Sequence, residues 1–140
     1  MSIELAIEYR KQVRFGQRLK ILECVDPTCL EHRVPLLILQ PLVENALKHG
    51  ISELVEGGTV EIGARCDSGN LVLWVENPVD PDLKQERHSG VGLTNVQRRL
   101  DREYGSEGVM RFRRDEASVR VEIVIPPIPV EEEDDQDERQ

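Results

Sequence analysis

A two-layer α/β (α+β) sandwich, in which helices cover one face of a mixed β-sheet, is the fold class this sequence predicts. Two observations carry that expectation. Apolar periodicity orders the segments as helix, strand, helix, two strands, long polar loop, helix and two strands, which is not a strict βαβ alternation. Glycine and proline pairs punctuate the segments at lengths suited to hairpins rather than to repeats. At 140 residues and 16.0 kDa the chain matches one domain. It is long enough to bury a core without disulfides or structural metal.

Residues 3–15 read as the first helix, with Leu5, Tyr9 and Val13 recurring at i, i+4. It starts without a clear cap, as if continued from a longer helix. Residues 18–25 (RLKILECV) alternate as a strand, and Asp26-Pro27 closes it. Pro35 suits the N1 position of a second helix, and Gly50 suits its C′ cap after His49. Gly57-Gly58 turns into a strand over 59–65, and a four-residue loop at 67–70 leads to a strand over 71–75. Residues 77–90 carry Pro78 and Pro81 and read as a mobile loop. Val96 and Leu100 share one face of a helix over 93–104, which Gly105 ends. Two alternating strands follow at 109–113 and 119–125, and Pro126-Pro127 stops the sheet.

The chain holds 27 acidic and 18 basic residues, a formal net charge of −9 with pI ≈ 4.9. The tail 131–140 holds −6 of that −9 and leaves −3 for the first 130 residues. Like-charge repulsion predicts a disordered, solvated acidic tail over 128–140. The overall balance argues against a nucleic-acid partner, which needs a basic footprint. Cys24, Cys29 and Cys66 are an odd set without a CxxC pair, so free thiols are expected rather than a disulfide framework or zinc site. No 18-residue apolar run or signal-peptide core is present, so a soluble, intracellular chain without membrane insertion is expected.

The second helix concentrates the chemistry. At 100° per residue Glu44, Lys48, Pro41, Asn45 and His49 fall within ~140°. Leu39, Leu42, Val43, Ala46 and Leu47 take the opposite arc. A carboxylate, an amide, an ammonium and an imidazole therefore share a face. Such a face is also what an ordinary solvated amphipathic helix presents. The second element is Ser89-Gly90-Val91-Gly92-Leu93-Thr94-Asn95, two glycines immediately before a helix. Glycines let backbone approach a ligand, and a helix N-terminus offers unpaired N–H groups to an anion. No Walker A pattern accompanies it.

The run PLLILQPLVENALKHGI, followed some forty residues later by GVGLTNVQRRL, resembles the catalytic domain of sensor histidine kinases. The likeness is to the LytS/YehU-like branch and covers about residues 1–127. Tyr9, Arg14-Phe15 and the closing Ile123–Pro126 also fit it. The resemblance implies the GHKL, or Bergerat, ATP-binding fold, with ATP and Mg²⁺ held under a lid. By it, Asn45 holds Mg²⁺, Lys48 meets the triphosphate, His49 lies against the nucleotide, and Gly90, Val91, Gly92, Leu93, Thr94 and Asn95 form the glycine box. Residues 77–89 correspond to the lid, with Arg87 and His88 near its end. No catalytic residue beyond those that position ATP is expected, Lys48 being the candidate.

The sequence departs from the family pattern at two places, and a third position, Pro41, bears on the type of reaction. The usual V-x-D-N-G-x-G is here Val75-Glu76-Asn77-Pro78-Val79-Asp80, which puts Asn77 where an Asp accepts from the adenine amino group. An Asn oxygen accepts the same bond without charge assistance. Val119 stands for a Thr that helps bind adenine through water, and Pro41 for the Glu that activates water in hydrolytic members. Glu44 is some 100° around the helix and a poor stand-in. These features favour positioning ATP for another nucleophile over hydrolysis.

That nucleophile is expected to be a histidine of a dimerisation region preceding residue 1, from which residues 1–15 would lead into the catalytic domain 16–127. His32, His49 and His88 lack the family's PHFxxN context, and His32 reads as a surface loop residue. The resemblance thus implies a histidine-phosphotransfer domain and a response regulator as partners. It implies a cytoplasmic place for a domain that is monomeric in isolation, with a parent protein of a kind anchored in the bacterial inner membrane. The alternatives are a non-catalytic interaction module of the same fold, or a GHKL ATPase or anti-sigma-type serine kinase.

Overall fold

A computed structural model describes residues 2–11, 19–35, 38–49, 58–79 and 91–127. Helix α1 (Ile3–Lys11) precedes β1 (Leu19–Val25), and a 3-10 turn Pro27–Cys29 leads towards α2 (Leu39–His49). The hairpin β2 (Gly58–Asp67) and β3 (Asn70–Pro78) follows, then α3 (Val91–Tyr104), β4 (Val109–Arg114) and β5 (Ser118–Ile125). The strands form one five-stranded sheet in the order β1-β2-β3-β5-β4. β1 runs parallel to β2, and every other pairing is antiparallel. The expected mixed sheet is therefore present. No helix among the described residues is long and apolar enough to cross a membrane.

The period-2 pleat assigns the two faces. Val60, Ile62 and Ala64 of β2, Leu71, Leu73 and Val75 of β3, and Val121, Ile123 and Ile125 of β5 point one way and are buried. Leu39, Leu42, Val43 and Ala46 of α2 and Leu93, Val96 and Leu100 of α3 complete the same core from above. Gly105 ends α3 with φ +60, the left-handed position a helix C′ residue adopts.

The opposite face carries no helix among the described residues and joins polar pairs around Trp74 to the apolar pair Val72 and Val124. Trp74 lies flat across Gly63, its Nε1 donating to Glu61 Oε2 at 2.8 Å. Arg120 and Arg65 stand over the indole at 5.0 and 5.5 Å. Arg120 also donates to Glu76 at 3.1 Å and to Glu61 at 3.4 Å. Glu122 is 1 % exposed, with Arg113 and Arg120 at 3.6 and 3.7 Å.

Several boundaries differ from the sequence expectation. Helix α1 is capped: Ser2 Oγ accepts from the Leu5 N–H at 3.2 Å, and Ile3, Ala6 and Ile7 form its buried stripe. Leu5, expected inside, is 57 % exposed. The Ile3 and Glu4 N–H groups bond to the His32 and Leu30 carbonyls, which rotates the Ile3 side inward. Val13 lies outside the described residues, as do residues 80–89 of the lid expected over 77–89 and the tail from 128.

Helix α2 begins at Leu39 rather than at Pro35. A start at Pro35 would bury Pro41 in the helix interior, where its missing N–H loses a bond. From Leu39, Pro41 sits in the first turn, where no intrahelical acceptor exists. The hairpin turn is tighter than expected, two residues, with Ser68 at φ 53 and Gly69 at φ 86, the signs a type I′ turn needs. β3 continues through Asn77 and Pro78, which were expected in the loop. Val79 N–H bonds to Ala117 across β5, so alternation turns Pro78 towards the β2 side, where pairing stops at Glu61↔Glu76.

Candidate functional site

The site predicted from sequence can be followed residue by residue. Asn45 projects from α2, a helix that packs on both β3 and α3. It is 9 % exposed, so the amide belongs to the packed side rather than to the solvated face expected for it. Glu44, the next residue back, points to solvent, where its Oε1 accepts from Gln40 Nε2 at 3.3 Å. The ~100° step between neighbours thus separates the amide from the carboxylate. Lys48 and His49 continue the helical backbone, and their side chains lie outside the described residues.

Asn77 is the second buried amide, 3 % exposed near the end of β3. It shares the pleat of Val75 and Leu73 and so faces the helices. Its Nδ2 donates to the Pro78 carbonyl at 3.0 Å. That bond fixes the amide's sense: the nitrogen is held locally, and the oxygen is the end available to a donor. Directly opposite in register stands Val119 of β5, 2 % exposed. Two of the departures noted in the sequence are therefore a single cross-strand pair.

The glycine box lies partly within α3. Val91 and Gly92, expected before the helix, form its first residues. A glycine in the first turn gives up no intrahelical bond through its N–H, so it is tolerated there. The first-turn N–H groups of this helix are the ones without helical acceptors. Leu93 is buried as a core anchor; Thr94 and Asn95 are exposed. Gly90, Arg87 and His88 lie outside the described residues.

The donor set suits a metal that arrives on phosphates. Asn45 offers one hard amide oxygen, and no group of three or more His, Cys, Asp or Glu among the described residues could hold an ion alone. Mg²⁺ typically takes few protein oxygens, keeps several waters and shares substrate phosphates. An adenine amino group likewise suits the Asn77 oxygen.

Two polar groups escaped the sequence reading. Gln40 carries a buried Oε1 without a hydrogen-bond partner, five residues before Asn45. It lies inside the recognised motif, which gave it no role. His32, expected at the surface, is half-buried; its Nδ1 lies 2.9 Å from the Arg33 carbonyl, and its Nε2 is buried without a partner. The turn that holds α1 encloses it, a tertiary effect with no local signal.

No family model matches the chain. Among curated proteins, it is 30% identical over 117 residues to the sensor histidine kinase BtsS of Escherichia coli, covering 83% of this chain and 21% of that protein. It is 29% identical over 141 residues to the sensor protein LytS of Staphylococcus haemolyticus, covering 92% and 24%. The chain thus spans less than a quarter of the length of these relatives. Among solved structures, the catalytic domain of histidine kinase ThkA superposes with a TM-score of 0.65 at 15% identity, covering 92% of this chain and 96% of that one. The mixed sheet under helices is the GHKL fold of histidine-kinase catalytic domains, and by sequence the chain belongs with the LytS-like sensor histidine kinases.

Proposed function

We propose that this chain is the ATP-binding catalytic domain of a sensor histidine kinase, holding Mg²⁺-ATP so that its γ-phosphoryl passes to a histidine outside residues 1–140. The observation that carries the proposal is the pair of buried amides, Asn45 on α2 and Asn77 at the end of β3, both on the helix-covered side of the sheet. Buried amides are costly without partners. Here they stand at the two positions where the family resemblance calls for a metal ligand and an adenine acceptor.

In this reading the Asn77 oxygen accepts from the adenine amino group, its sense set by the bond to Pro78. Asn45 supplies its amide oxygen to the metal, Lys48 adds positive charge along the phosphates, and the first-turn N–H groups of α3 take phosphate oxygens. Mg²⁺, when bound, neutralises charge on the phosphates. The chain's own residues contribute binding, orientation and electrostatic complementarity, the main requirements of phosphoryl transfer. Pro41 in the first turn of α2 leaves no carboxylate where a hydrolase would keep its base, and Glu44 faces away with Gln40. That favours transfer to a positioned side chain over hydrolysis. The acceptor histidine's domain and a response regulator are the partners proposed with it.

The test is calorimetric titration of ATP with and without Mg²⁺, on this chain and on Asn45→Ala. Binding that weakens at least tenfold on removing Mg²⁺, with that dependence lost in Asn45→Ala, is the expected result. No binding at millimolar ATP would replace the proposal with a non-catalytic module, a reading that Asn77-Pro78 and Val119 favour. Rapid turnover by the isolated chain would replace it with an ATPase or serine kinase.

A further inference from the structure

The three cysteines divide between the two faces of the sheet. Cys24 pairs in register with Gly63 on the open face, where its Sγ lies 3.6 Å from Glu61 Oε1. Cys66 falls one pleat step away from Arg65, on the helix side at the end of β2. Cys29 closes the Pro27–Cys29 turn and is fully buried. Although 37 positions separate them, the Cys29 and Cys66 sulfurs stand 2.9 Å apart. A disulfide bond needs ~2.05 Å, so closing it takes less than about 1 Å of movement. Cys24 belongs to the other face and cannot compete for either.

We propose that Cys29 and Cys66 are a reversible redox site: a disulfide between them fastens the turn after β1 to the end of β2. Small oxidised disulfides are the co-reactant. The exposed Cys66 thiolate attacks one sulfur of such a disulfide and displaces its other half as a thiolate. Cys29 then releases its proton, and its sulfur attacks Cys66 Sγ, expelling the second small thiolate. Two protein thiols and one small disulfide thereby become one protein disulfide and two small thiols. Cys66 is exposed and Cys29 fully buried, which assigns the first attack to Cys66 and the second, slower step to Cys29.

The turn that would be fastened is the one that anchors α1. The Leu30 and His32 carbonyls accept from the Glu4 and Ile3 N–H groups at 3.1 and 2.9 Å, and the His32 N–H bonds to the Cys29 carbonyl at 2.9 Å. Oxidation therefore stiffens the seat of the first helix against the sheet.

The purified full chain is to be equilibrated with glutathione couples of rising oxidising poise, then alkylated, digested and weighed. Two of three thiols should disappear together, with a Cys29–Cys66 cross-linked peptide and unchanged behaviour in Cys24→Ser. The melting temperature should rise by about 10 °C on closing a loop of this length, and fall back with dithiothreitol. Hydrogen exchange at Ile3 and Glu4 should slow. Cys29→Ser should stop at a glutathione adduct on Cys66, and Cys66→Ser should form no intramolecular cross-link. Three thiols surviving excess oxidised glutathione, a wild-type chain that halts at the Cys66 adduct, or a cross-link through Cys24 would each overturn the proposal.

Discussion

Replacing Gly63 by alanine tests the packing of the open sheet face. A Cβ built there falls 1.9 Å from Trp74 Cζ2 and 2.0 Å from Cε2. Carbon atoms settle at about 3.5–4.0 Å, so the ring has to retreat by roughly 1.5–2 Å. That movement ends the 2.8 Å bond from the indole to Glu61 and slides the ring from beneath Arg120 and Arg65. The hydrogen bond to a carboxylate is worth about 1.5–3 kcal/mol and each cation–π contact about 0.5–1 kcal/mol. Alanine returns about 0.5–1 kcal/mol of chain entropy relative to glycine. The balance is a loss of about 1.5–4.5 kcal/mol, visible in urea titrations as a midpoint lowered by about 1 M or more. In a Trp74→Ala background the same substitution meets no ring, and its cost should vanish or reverse. A loss under about 0.5 kcal/mol in the native background, or equal losses in both, would refute the stacking argument.

The same face makes two further expectations. Arg120→Ala should cost about 2–3 kcal/mol by chemical denaturation, because it strips partners from Glu61, Glu76 and the buried Glu122 at once. Glu122→Met should stay within about 1 kcal/mol of the native chain, since both Glu122 oxygens are buried without a hydrogen-bond donor. Alkaline titration of stability has a defined sign. Burial raises Tyr104 from 10.0 to about 12, so the native state resists its ionisation; that stability is whole below pH 10 and is lost as pH rises towards 12. Cys29, raised from 9.0 to about 12, acts in the same direction from a lower starting pH. Tyr104→Phe should flatten the decline of melting temperature above pH 10 and leave the part beginning near pH 9.

What the sequence revealed of this fold follows from how local each determinant is. The α3 stripe of Val96 and Leu100, and the glycine at its end, are decided within one or two turns of chain, and both were legible. Leu5 was misread because Ile3, Ala6 and Ile7 offer an equally good stripe, and the choice between them rests on two backbone bonds to residues 30 and 32. Pro78 breaks a strand only when its missing N–H faces a paired neighbour; here the pairing of β3 with β2 has already stopped at Glu61↔Glu76. Glu122 sits in a central strand where alternation predicts a polar exposed residue, yet Arg113 and Arg120 close over it. The cysteine pair had no signal, since contact across 37 positions depends on where β1 and β2 lie. Within the candidate site, Asn45 and Asn77 were found by motif, whereas their burial and the opposition of Asn77 to Val119 needed the sheet.

That opposition turns two separate departures into one coupled question. Asn77→Asp alone should strengthen adenine binding if the acceptor role is right, because a charged acceptor makes a bond about twice as strong as a neutral one. It also removes the Nδ2 bond to the Pro78 carbonyl and sets a carboxylate at a 3 % exposed position facing Val119. A buried charge with no donor is costly, so the single variant should lose about 2–3 kcal/mol of stability. Cross-strand Cβ atoms stand about 4.5–5.5 Å apart, within reach of a hydroxyl. Val119→Thr supplies one opposite the carboxylate. Asp with Thr, and Asn with Val, are then the two self-consistent pairs, and the mixed pairs are the unstable ones. Thermal denaturation and ATP calorimetry on all four chains decide it. The double variant should recover at least about 1 kcal/mol of the single variant's loss while keeping tighter binding. Strict additivity in stability would show that Asn77 and Val119 vary independently; unchanged affinity in Asn77→Asp would remove Asn77 from the nucleotide site.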